Sequence, residues 1–240
     1  MQLVHTIIHC QVPKDTNNIV RDFNIIQCTI IKDSEEYNNI LRRANELATR
    51  VNTATANNTE VERNLQRRQS DSFGGLLAEA GWEQYINSEF PNIAAPTPFT
   101  DTSTQIDIQL TNGERIEVRS SFPRNGVKFG LCNNRFNFRN IGPYSNSIKP
   151  AEIQKHLYLA VLFDSSKANL LSSNTIVFSL VGGSTWQRMV QNGYNATLKP
   201  EDDDFASWSN YHVIDLKNAL DAFQILDAIA ELGYARAARH

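Results

Sequence analysis

Polar and apolar positions recur along this chain with two different periods, and the change of period divides it. Behind Ser34, the residues Tyr37, Ile40, Leu41, Ala44, Leu47, Ala48 and Val51 recur at helical spacing. With Ser34 as cap and Glu35 and Glu36 in the first turn, they predict an amphipathic helix. A second helical stretch carries Val61 and Leu65 with Arg63, Arg67 and Arg68 around it; its pattern breaks near Ser72–Gly75 and resumes over Leu76–Asn87. Pro91, Pro96 and Pro98 mark an extended connector. From Gln105 the period is two, with Ile106, Ile108 and Leu110 facing one way and Gln105, Asp107 and Gln109 the other. The alternation resumes after Thr111-Asn112-Gly113, where Ile116 and Val118 oppose Arg115, Glu117 and Arg119.

The nearly continuous apolar runs His156–Phe163 and Thr175–Val181 read as strands covered on both faces. Short strands are expected around Val4, Ile7 and Ile8, over Asn24–Ile31 and over His212–Leu216. A closing helix is expected to carry Ala219, Leu220, Phe223, Leu226, Ile229 and Ala230. Alternating helices and strands predict an α/β fold, a central mixed β-sheet flanked by helices. Its 240 residues suit a single domain, with residues 34–70 as a helical N-terminal elaboration.

The register of the predicted hairpin follows from parity, because residues directly opposite in an antiparallel pair share a face. A two-residue turn would set Asp107 against Val118 and mix both faces. A three-residue loop with Gly113 in the left-handed conformation pairs Leu110 with Glu114 instead. Ile108 then meets Ile116, Ile106 meets Val118, Gln109 meets Arg115, Gln105 meets Arg119 and Asp107 meets Glu117. Two carboxylates with Cβ atoms about 5 Å apart repel by about 3 kcal/mol at an effective dielectric of 20. Two partners are open for that pair: flanking Arg115 and Arg119 in a charge ladder, or a divalent cation such as Mg2+, which takes one or two carboxylates and fills its remaining positions with water and phosphate oxygens.

Composition narrows the classes. Hydrophobic residues at 41% and charged ones at 20% exclude a disordered chain. Three dispersed cysteines, Cys10, Cys28 and Cys132, form no CxxC pair, so neither a zinc ribbon nor a disulfide framework is expected, and a reducing, cytoplasmic setting is. No apolar run reaches the ~18 residues of a membrane span. The five histidines are scattered without HxxxH spacing, and Glu201-Asp202-Asp203-Asp204 reads as an exposed acidic loop. Val181-Gly182-Gly183-Ser184 reads as a tight turn ending a strand.

The net charge of −3 hides a local excess. No acid lies between Glu117 and Glu152, whereas Arg119, Arg124, Lys128, Arg135, Arg139 and Lys149 do, interleaved with Phe122, Phe129, Phe136, Phe138 and Tyr144. Arginine suits phosphates and guanine edges, and asparagine suits adenine. Arg124, Lys128, Asn133, Asn134, Arg135, Asn137, Arg139 and Lys149 are therefore candidate DNA contacts.

Asp107 followed by Glu117-Val118-Arg119 on the next strand resembles the PD-(D/E)xK nuclease superfamily, and in particular type II restriction endonucleases. The resemblance covers roughly residues 73–165 and includes Glu79, which matches the acidic position on the family's preceding helix. It also includes the strand His156–Phe163, reached after a helix start near Pro150-Ala151-Glu152. What the resemblance implies is a Mg2+-dependent endonuclease that cuts double-stranded DNA at a specific sequence as a homodimer. Asp107, Glu117 and the Val118 carbonyl would hold the metal, Glu79 would orient water or a second ion, and Arg119 would contact the phosphate. Two positions depart from the family: Ile106 stands where it has proline, and Arg119 stands where it has lysine. Arginine stays protonated and cannot serve as a base. A catalytically inactive DNA-binding protein therefore stays open beside the restriction enzyme, as does a structure-selective repair nuclease that recognises shape rather than bases.

Overall fold

A computed structural model describes residues 1–11, 20–51, 59, 61–99, 106–122, 131, 139–145, 152–199, 206–215 and 218–237. Its centre is a seven-stranded mixed sheet. Long antiparallel strands β1 (Gln2–Gln11) and β2 (Val20–Ile31) form one edge. Beyond them come β8 (Thr175–Thr185), β7 (Leu157–Phe163), β5 (Arg115–Ser121), β4 (Ile108–Leu110) and β3 (Ala94–Pro96), in that order. β5 and β7 run parallel, and the other neighbours are antiparallel. A smaller sheet orders β6 (Arg139–Ser145), β10 (Ser209–Asp215) and β9 (Tyr194–Leu198). The mixed α/β fold expected from the sequence is observed.

Every residue of β7 is buried because both faces of the sheet are covered. Leu157, Leu159, Val161 and Phe163 join the core beneath the helices α1 (Glu35–Arg50), α2 (Leu65–Glu89) and α4 (Ala222–Ala230). Ala160 and Leu162 join a second cluster with Ile8, Phe23 and Ile25 on the opposite face. The predicted cap of α1 is present, the Ser34 hydroxyl accepting from the Tyr37 N–H at 3.3 Å.

Four local expectations need correction. α2 runs unbroken through Ser72–Gly75. A Cβ on Gly74 would lie 2.8 Å from Phe122 Cζ, and one on Gly81 would lie 2.8 Å from Phe178 Cε2. These glycines admit neighbouring rings; they do not end the helix. Val181–Ser184 is not a turn: β8 continues to Thr185 through a bulge, where Gly183 exchanges both backbone hydrogen bonds with Leu220 at 2.8 Å. A Cβ on Gly182 would lie 2.0 Å from the Leu220 oxygen. Only then does the short α3 (Trp186–Asn192) begin. α4 starts after Ala219 and Leu220, because Asp221 caps it in a reciprocal pair with Gln224. Finally, Cys10 is disulfide-bonded, while Cys28 is a buried free thiol. No helix among the described residues is long and apolar enough to cross a membrane.

Candidate active site

The β4–β5 hairpin has the register deduced from parity: Ile108 pairs with Ile116 and Gln109 with Arg115. The Leu110 N–H donates to Glu114 O at 2.9 Å across a loop whose Gly113 has φ of 90°. Regular pairing then ends, one step before the acids. The Asp107 N–H reaches back to Ile116 O at 3.3 Å, and its carbonyl accepts from the Thr97 N–H at 3.2 Å. Its side chain takes over the ladder, Oδ2 accepting from the Val118 N–H at 2.7 Å. Asp107 is therefore fixed to β5 by its carboxylate, where a plain cross-strand pair with Glu117 was expected. N–H and C=O of one strand residue point to the same side, so the Val118 carbonyl faces the edge that Asp107 occupies.

Glu117 and Arg119, two residues apart on β5, share a face. That face is buried among charges: Glu117 is only 7% exposed. One Glu117 oxygen lies 3.0 Å from Arg119 Nη2, the other 3.0 Å from Lys155 Nζ. Lys155, just ahead of β7, is 1% exposed, and its own N–H donates to the Tyr158 hydroxyl at 2.9 Å. Tyr158 pairs with Glu117 across the parallel β5–β7 ladder, so the same pairing that builds the sheet delivers the amine. The Glu152 side chain is buried too. Both its oxygens accept from Arg119 Nη2 at 2.9 Å, Oε2 accepts from the Tyr144 N–H at 3.1 Å, and Oε1 lies 3.5 Å from Lys155 Nζ. Glu152 thereby joins β6 of the small sheet to β5. The Arg119 guanidinium stacks over the Tyr144 ring at 5.0 Å, and its Nε is buried without a hydrogen-bond partner.

The electrostatics divide the cluster in two. Burial would lower the Arg119 pKa, but Glu117 and Glu152 outweigh it and hold the guanidinium charged. Asp107 and Glu79 are not compensated in that way. Burial, and next the Glu117 charge, push the Asp107 carboxyl up to about 8, against the Val118 N–H and the fields of Arg119 and Lys155. Glu79, brought in by α2, is raised well above the usual range by burial and then by Asp107, with Arg43 opposing. Crowded acids whose carboxyls are pushed up by burial and by one another mark a place where a further cation would be welcome.

Among the described residues no group of three or more His, Cys, Asp or Glu side chains is arranged to hold a metal ion by itself. The donor chemistry suits Mg2+ even so, since that ion needs only one or two carboxylates from the protein. Asp107 and the Val118 carbonyl supply oxygens on one edge, and Glu79 adds a second acid without a fixed counter-ion there. Glu117 is the less available ligand, with both oxygens in ion pairs.

The fold thus gathers the expected site residues Glu79, Asp107, Glu117, Val118 and Arg119. Sequence reasoning missed Glu152, Lys155 and Tyr144. The sequence pattern places Glu152 at a helix start, yet residues 152–155 are not helical. The available signal was the placement of two charged residues, Glu152 and Lys155, directly ahead of a run that must be fully buried. Of the candidate DNA contacts, Arg139 lies in β6 with its guanidinium 5.9 Å from the Tyr194 ring. Arg124, Lys128, Asn133, Asn134, Arg135, Asn137 and Lys149 lie outside the described residues.

No family model matches the chain, and no solved structure does. It is 24% identical over 244 residues to an uncharacterized protein of Methanocaldococcus jannaschii, across 84% of this chain and 86% of that protein.

Proposed function

We propose that this protein is a Mg2+-dependent endonuclease of the PD-(D/E)xK type that hydrolyses double-stranded DNA at a specific sequence, acting as a homodimer. The observation that carries the reading is the amine of Lys155 at 3.0 Å from Glu117, beside an Asp107 bonded to Val118. The lysine absent from position 119 is replaced in charge by one that sits just ahead of the neighbouring parallel strand. When bound, Mg2+ would supply positive charge at the scissile phosphate, with Asp107, Glu117 and the Val118 carbonyl as its protein oxygens. The chain's own residues do the rest. Glu79, whose hold on a proton is strengthened by burial and by Asp107, can take part in proton exchange with water at the site. Arg119 keeps its positive charge close to where negative charge develops on the phosphate. Lys155 touches no substrate; it positions Glu117.

Incubation of phage DNA with the protein and Mg2+, against an EDTA control, tests the reading. Discrete fragments that vanish with EDTA are expected. Smeared or junction-specific products would indicate a structure-selective repair nuclease. A second reading, DNA binding without hydrolysis, draws on the engagement of both Glu117 oxygens by cations; retarded but intact DNA would establish it.

A further inference from the structure

We propose that Glu152 is a positioning residue that sets the affinity of the Asp107–Glu79 edge for a divalent cation by occupying Arg119 and Lys155. The inference rests on the metal-dependent reading above and deepens it. Glu152 contacts neither Asp107 nor Glu79 in any described hydrogen bond or ion pair. Its carboxylate is fully buried, an expensive place for a charge unless partners satisfy it. The partners among the described residues are Arg119 Nη2 on both oxygens, Lys155 Nζ and the Tyr144 N–H.

Those two cations also hold Glu117. Among the described residues, Glu117 and Glu152 thus balance Arg119 and Lys155, and no described ion pair reaches Asp107. With Glu152 neutral, the cluster would present one more positive charge to the Asp107 edge and repel an arriving cation. With Lys155 neutral, the balance would tip the other way and Glu117 would gain a free oxygen. Charge balance thus predicts opposite signs for two substitutions in one cluster. Damage to packing predicts the same sign for both.

The test is titration of the full-length protein with Mg2+, or with Mn2+ followed by electron paramagnetic resonance, in the absence of DNA. Glu152→Gln should bind the ion ~10–100-fold more weakly, the usual range for a residue behind the ligands. Lys155→Gln should bind it more tightly, and the double variant Glu152→Gln/Lys155→Gln should return close to wild type. Thermal melting by circular dichroism reports which variants fold. If Glu152→Gln does not, Lys155→Gln decides: tighter binding supports the proposal, and equal or weaker binding overturns it. Two single variants shifted in the same direction also overturn it, as does a wild-type protein that binds neither ion. The expected pattern in a protein that leaves DNA intact would uphold the role of Glu152 while removing the nuclease reading.

Discussion

The side-chain amine of Lys155 lies 3.0 Å from Glu117 Oε2, although β6 separates the two residues in the chain. The side chains of Lys155 and Glu152 are fully buried, and that of Glu117 is nearly so. Removing one member of such a buried pair leaves a charge without a partner, at about 3–5 kcal/mol. Lys155→Ala should lower the unfolding free energy by that order in a urea titration. Loss below about 1 kcal/mol, the scale of an exposed ion pair, would show that the amine is solvated.

Asp107→Asn isolates the charge of Asp107 from its structural bond. The amide oxygen can still accept from the Val118 N–H, so the hairpin should hold and DNA affinity should stay close to wild type in a gel-shift assay. Cleavage should be lost. Wild-type cutting rates in Asp107→Asn would remove this residue from the site.

The raised carboxyls give the stability of the metal-free protein a direction with pH. The Asp107 carboxyl titrates at 3.8 when unperturbed and at about 8 in the fold, so between those values the native state binds a proton that the unfolded chain has released. Its contribution therefore favours folding below about pH 4 and is lost as pH rises toward 8, and Glu79 acts in the same sense. Chemical denaturation in EDTA from pH 5 to 8.5 should show declining stability from these groups, reduced in Asp107→Asn and by added Mg2+. An identical pH slope in Asp107→Asn would show that this carboxyl ionises normally.

Arg119→Lys should retain cleavage. Every described ion pair of Arg119, to Glu117 and to Glu152, runs through the single nitrogen Nη2, which a lysine ammonium can replace as a point charge. Complete loss would mean that the guanidinium plane, stacked on Tyr144, is required.

The glycines of α2 give a paired test of the fold. A Cβ on Gly75 meets nothing within 4 Å, so Gly75→Ala should stabilise by up to ~1 kcal/mol through helix propensity. Gly81→Ala would press on the buried Phe178 ring at 2.8 Å and Leu180 at 3.1 Å and should destabilise by about 1–3 kcal/mol. Thermal melts that rank the two variants the other way would refute the packing assignment.

Local physics made much of this protein legible in advance. The α1 cap and helix, the buried runs that became β7 and β8, and the register of the β4–β5 hairpin follow from residues near one another in the chain. Parity sufficed for the hairpin because only one loop length separates polar from apolar faces. The same locality misled at Gly74 and Gly81, where rings from β8 and the end of β5 reward a missing side chain inside a helix. The site needed the long-range pairing of β5 with β7, which sets Tyr158 against Glu117 and brings Lys155 and Glu152 under β5. No period or spacing encodes that meeting. The chain by itself determined which residues are acidic, basic or apolar and which short segments they shape; the tertiary structure decided which charges neutralise one another, because burial makes that choice costly only once the sheet has closed around them.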